Sequence, residues 1–306
     1  MYQPLRPSRS EHVPLRTLRA HVRLWGEPAA DRAPLVLVHG WMDVSASWQF
    51  VVDALAQDHF VIAPDWRGYG LTEAPPVDSY CFADYLADLD FLLDHYAGDR
   101  PVNLVGHSMG GNVAMMYAGV RPARIRRLVN LEGFGSPESQ PVDAPGRYAR
   151  WMDELKQFHR GELALAPYDS IDGVARRLMR TTRRLPQDKA DWLARQWAHE
   201  VPHNDGGPGG AWRIRGDAAH KTIFAQAMRV DEVLALYRAI TAPVLAVEAS
   251  DDSLSLWWKG RYTLNDYHAR LREIADCRVL RIEDAGHMLQ HDQPQAVARA
   301  IEQFLR

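Results

Sequence analysis

Ser108 stands with a glycine two residues to either side, in Gly106-His107-Ser108-Met109-Gly110. The apolar run Pro101-Val102-Asn103-Leu104-Val105 before it reads as a strand, and Asn112-Val113-Ala114-Met115-Met116-Tyr117-Ala118 after it reads as a helix. A serine at so tight a strand-to-helix turn takes a strained backbone conformation, and the flanking glycines keep Cβ atoms out of the crossing. Its hydroxyl then projects into open space, beside helix-start N–H groups that can hold a negative oxygen. The chemistry this spacing points to is nucleophilic attack by Ser108.

A serine hydroxyl is a weak nucleophile and needs a base within hydrogen-bond reach. Thirteen histidines compete for the role. His287, in Asp284-Ala285-Gly286-His287, lies just beyond the last apolar strand run, in a loop returning to the edge of the sheet where sites of open α/β sheets form. The others read more plainly. His107 points the wrong way beside the serine, His39 braces its loop, and His199 is a surface histidine. His287 and His291 are four apart, but no third ligand accompanies them, so no metal site is expected.

The base needs an orienting carboxylate. Asp251 and Asp252 follow the strand run Val244-Leu245-Ala246-Val247, and Asp252, deeper in the loop, is the favoured acid. Glu132, at the end of Leu128-Val129-Asn130-Leu131, is the rival, with a pocket-wall role as its plainer reading. Two backbone N–H groups should hold the oxyanion: Met109, directly after the nucleophile, and Trp41, in the close-approaching loop His39-Gly40-Trp41.

The elements that must position these groups alternate. Apolar runs at 35–38, 60–63, 101–105, 128–131, 244–247 and 279–282, short and continuous, are strands buried on both faces, with helical stretches between them. Such alternation implies a doubly wound, mainly parallel sheet. From 136 to 240 the pattern changes. That stretch reads as helical and without strands, apart from a glycine-dense loop at 204–210; the loop from His203 to Trp212 reads either as a gate or as a plain surface loop. The expected organisation is a core of residues 1–135 and 241–306, with a helical cap at 136–240. Trp151, Trp192, Trp197 and Trp212 fall in the cap and imply an apolar roof over the cleft. Arg176, Arg177, Arg180, Arg183 and Arg184 read as a solvated helix face.

Composition narrows the class. The chain has 306 residues, is 46% hydrophobic and carries a formal charge of -3, which supports a sizeable core and speaks against a nucleic-acid partner. Two cysteines argue against a disulfide framework. No run is long enough to span a bilayer and the first residues lack a signal-length apolar stretch, so a cytoplasmic chain without stable membrane insertion is expected.

With these pieces assembled, the chain resembles the α/β-hydrolase superfamily over nearly its whole length. His39-Gly40-Trp41, Asp65-Trp66-Arg67-Gly68-Tyr69-Gly70, the turn at Ser108, and Gly286-His287 followed by Asp292 and Pro294 carry the resemblance. It implies an eight-stranded, mainly parallel sheet with a helical cap between its sixth and seventh strands, and the chain order Ser, Asp, His for the triad. Relatives that dehalogenate alkanes or open epoxides carry aspartate where Ser108 stands. One departure is Glu248-Ala249-Ser250-Asp251-Asp252, where the family's loop usually begins with glycine. The expectation is a capped serine hydrolase that cleaves a small or medium acyl ester through an acyl-enzyme. Ser108, His287 and Asp252 do the chemistry, Trp41, His107, Glu132 and Trp212 line the pocket, and no cofactor is required. Cleavage of a carbon–carbon bond in a diketone-like substrate, acyl transfer and thioester cleavage are the alternatives, and a non-catalytic receptor is a remote one. The expected partner is a small-molecule substrate, and the expected state a monomer or homodimer.

Overall fold

The computed structural model describes residues 2–202 and 210–306, so most of the glycine-dense loop lies outside the described residues. Strands β1 (Arg9–Leu15) and β2 (Leu18–Trp25) pair antiparallel at one edge of the main sheet. Four strands follow: β3 (Leu35–Val38), β4 (Val61–Pro64), β5 (Val102–His107) and β6 (Ile125–Leu131). Within the segment inserted after β6 lie β7 (Ala198–Pro202) and β8 (Gly210–Ile214), and then β9 (Val244–Ala249) and β10 (Cys277–Ile282) complete the sheet. Its order is β1-β2-β4-β3-β5-β6-β9-β10, parallel from β4 onward. The expected doubly wound sheet of eight strands is therefore present. β1 went unread from the sequence because its Arg-Ser-Glu-His-Val-Pro-Leu pattern is mostly polar, as suits an edge strand.

Successive strand residues feed opposite faces. Val36, Val38 and Leu104 join one apolar cluster, packed by α2 (Phe82–Ala97) and α3 (Met109–Val120), while Leu35, Leu37 and Val105 join the other. That second face is covered by α1 (Gln49–Ala54) and by the terminal α11 (Pro294–Leu305). Between β6 and β9 come α4 (Ala144–His159), α5 (Ile171–Thr181), α6 (Gln187–Trp197) and α7 (Val230–Ala239). Between β9 and β10 come α8 (Ser253–Trp258) and α9 (Leu264–Leu271), and α10 (Leu289–Asp292) precedes α11.

Two expectations about the insertion need correction. It is not wholly helical: β7 and β8 form an antiparallel ribbon, with Glu200 opposite Trp212. The only signal for it was the glycine-dense stretch that it flanks. Nor does the insertion's packing extend to residue 240. α7 buries Val233 and Tyr237 in the same cluster as the sheet and α3, so the last helix of the segment belongs with the core. The rest has its own apolar cluster, in which Val174, Leu178, Leu193, Trp197 and Ile214 pack on Val44, Ala46 and Phe50, just after β3.

Candidate active site

β5 and α3 meet at Ser108, whose φ of 52° and ψ of -116° lie outside the ordinary wells of an L-residue. The glycines are demanded by the crossing. A Cβ on Gly106 would lie 2.3 Å from the carbonyl oxygen of Gly110, and one on Gly110 would lie 2.5 Å from that of His39. The Ser108 N–H bonds the Leu131 carbonyl at 2.8 Å, which ties the turn to the end of β6.

The Ser108 hydroxyl donates to His287 Nε2 at 2.9 Å, and His287 Nδ1–H donates to Glu132 Oε2 at 3.2 Å. Glu132, the residue after β6, has a φ of 57° and bonds the Val247 carbonyl through its N–H. Its other carboxylate oxygen accepts the Ala249 N–H at 2.8 Å, and Oε2 also accepts the Ser253 hydroxyl. The end of β9 and the start of α8 thus serve the site through a main-chain amide and a serine, while the carboxylate follows the neighbouring strand β6.

Both expected aspartates are elsewhere, and this corrects the sequence reading. Asp252 caps α8, accepting the Ser255 N–H at 2.9 Å, and is exposed. Asp251 pairs bidentately with Arg184 at 2.8 and 3.2 Å. Arg184 is thereby taken out of the solvated basic face. Glu132, 3% exposed, is no pocket wall. Nor is His107, 1% exposed, which bonds the His287 carbonyl at 2.8 Å through Nε2 and so ties down the backbone that carries the imidazole.

Burial favours the neutral form of each member of the acid–base pair. It pushes Glu132 up to about 7, against the lowering pull of its Ala249 and Ser253 hydrogen bonds, and it pushes His287 down to about 3.

Two backbone segments flank the Ser108 hydroxyl. Met109 is the first residue of α3, where an N–H has no carbonyl one turn earlier to take it. A Cβ on Gly40 would lie 3.1 Å from Ser108 Cβ, so the Gly40-Trp41 backbone runs against the serine. The Trp41 ring is 55% exposed, with its N–H towards the His220 carbonyl at 3.4 Å. His39 braces the loop, accepting the Trp66 N–H at Nε2. Trp212 is half-buried against the insertion's apolar cluster, and its backbone exchanges hydrogen bonds with Tyr168. Sequence reading missed Ser253 and Trp257. The Trp257 ring stands edge-on to the His287 ring at 4.3 Å, and its only sequence signal was the pair Trp257-Trp258 soon after the carboxylate loop.

Comparison with known proteins gives three kinds of likeness. A family model described as the alpha/beta hydrolase fold matches residues 33–294. Among curated proteins, a "Serine hydrolase-like protein" of Danio rerio is 27% identical over 300 residues, 96% of this chain and 86% of that one. A "Putative carbamate hydrolase RutD" of Variovorax paradoxus is 31% identical over 232 residues, 74% of this chain and 77% of that one. Among solved structures, a thioesterase domain from the curacin biosynthetic pathway superposes with a TM-score of 0.81 at 23% identity, covering 97% of this chain and 99% of that one. At that identity the last likeness speaks for the fold alone.

Proposed function

The chain belongs to the alpha/beta hydrolase fold family, with hydrolases among its relatives, and from that premise we propose that it is a serine hydrolase cleaving a carboxylic ester. One observation carries the proposal: the unbroken line Ser108 Oγ, His287 Nε2, His287 Nδ1, Glu132 Oε2, with spacings of 2.9 and 3.2 Å.

In this reading Ser108 Oγ attacks the ester carbonyl while His287 Nε2 takes its proton. The tetrahedral oxygen rests on the Met109 and Trp41 N–H groups. The carbon–oxygen bond then breaks, its electron pair goes to the alcohol oxygen, and the imidazolium returns the proton there. Water, deprotonated by His287, attacks the acyl-enzyme and releases the acid with Ser108 restored. Glu132 keeps the proton of the imidazole on Nδ1, so that Nε2 faces the serine as an acceptor. A carbonyl flanked by a heteroatom is the shared requirement, and the carbamate named for the Variovorax relative is another such group.

The test is covalent labelling by a fluorophosphonate, together with turnover of nitrophenyl esters of graded acyl length beside a diketone substrate. Labelling of the wild type and its loss in Ser108→Ala are expected. Labelling that survives the substitution would sink the nucleophile assignment, and turnover of the diketone alone would replace ester cleavage by carbon–carbon cleavage.

A further inference from the structure

We propose that Trp257 builds the subsite for the leaving group, and that this subsite takes an aromatic or comparably bulky apolar alcohol. The inference rests on the serine-hydrolase reading.

α8 is a short helix fixed from below. Ser253, at its start, holds Glu132 through its hydroxyl, and Leu254 is fully buried. Three residues further along, this anchoring places the Trp257 ring at 84° to the His287 ring, with centroids 4.3 Å apart. That separation and angle are an edge-to-face aromatic contact. Yet Trp257 remains 48% exposed, so part of its apolar ring lies open beside the imidazole. Trp41, the other exposed tryptophan of the site, stands on the loop whose Gly40 lies against Ser108.

Proton transfer decides which part of a substrate meets each ring. His287 Nε2 must reach the departing alcohol oxygen within hydrogen-bond distance as the carbon–oxygen bond breaks. Whatever hangs from that oxygen therefore lies beside the imidazole, where Trp257 is. The acyl carbon, bonded to Ser108 and with its oxygen on the Trp41 and Met109 amides, extends from the serine instead. An exposed indole can offer a flat apolar wall to a ring or branched alkyl group, and gains little from a two-carbon alcohol.

Two substrate series separate the claims: benzyl against ethyl acetate at constant acyl group, and ethyl esters of rising acyl length at constant alcohol. The expected result is that Trp257→Ala lowers the benzyl-to-ethyl ratio of kcat/KM by roughly tenfold and leaves the acyl-length profile unchanged. Trp257→Phe, which keeps a ring, should retain most of the preference. In the same samples, benzyl alcohol should slow fluorophosphonate labelling of the wild type and protect Trp257→Ala far less. An unchanged benzyl-to-ethyl ratio overturns the proposal, as does a shift in the acyl profile, which would place Trp257 on the acyl side. Wild-type protein that neither labels nor turns over any ester brings down the parent reading, and this subsite with it.

Discussion

At the scale of single residues, the meeting of Ser108 and His287 was legible because both positions are tied to short, rigid spacing: a glycine-framed turn, and a histidine just after the last strand. The carboxylate was not. Three candidates stood at the carboxyl edge of neighbouring strands, and spacing along the chain does not say which side chain turns inward. Here Ala249 and Ser253 turn their donors towards Glu132, and Asp252 spends its carboxylate on α8. Glu132→Gln should therefore lower kcat by about 10⁴, the loss expected when an amide favours the wrong imidazole tautomer. Asp252→Asn should stay far closer to wild type. Steady-state kinetics on the two variants decides between them. The pH profile follows from the same burial. Because Glu132 is pushed up to about 7, an extra proton stays on the Glu132–His287 pair below that pH. With that proton on Glu132 the carboxylate that orients His287 and would stabilise its imidazolium is gone, so kcat/KM should rise with pH through about 7 and be lost as pH falls below it. An ascending limb centred well below that value would mean that the pair is less shielded from water than its burial indicates.

Among the elements, the parallel strands declared themselves as apolar runs, while β1, β7 and β8 did not, being partly polar and half-exposed. Alternation is faint where neither face of a strand is fully covered. The β5–α3 crossing makes the most demanding test of an element. Gly106→Ala sets a methyl group 2.3 Å from the Gly110 carbonyl oxygen, which belongs to the backbone of α3 and cannot rotate away. Denaturant unfolding should show a loss of about 2–3 kcal/mol, in the range of other overpacked sites. Wild-type stability in that variant would mean that strand and helix separate more easily than their contact suggests. α8 yields the complementary case: Asp252→Ala removes its N-cap and should cost about 1 kcal/mol, measured the same way.

For the whole molecule, the sheet and its inserted segment were readable from the alternation of runs, but the seam between them was not. α7 carries an apolar face like those of the other helices, and nothing in its periodicity says that it packs on α3 rather than on α5 and α6. Arg184 spans that seam. Its pair with Asp251 is 36% and 50% exposed at the two ends, so the contact should add little to stability. Thermal unfolding of Asp251→Asn should shift by no more than about 2 °C at low salt and less at high salt; a larger shift would mean that the insertion depends on this one ion pair to stay seated. The placing of Glu132 carries a further consequence, for how such a chain can change over generations. Residues 108 and 132 end neighbouring strands, and both precede the insertion. Their separation is set by the spacing of hydrogen-bonded strands, about 4.8 Å, and by no loop that follows. The stretch from 136 to 229 is in that sense a cassette: it can lengthen, shorten or be exchanged while the serine and its carboxylate keep their distance. The side chain at 251, not required at His287, is then free to meet whatever cassette lies beside it.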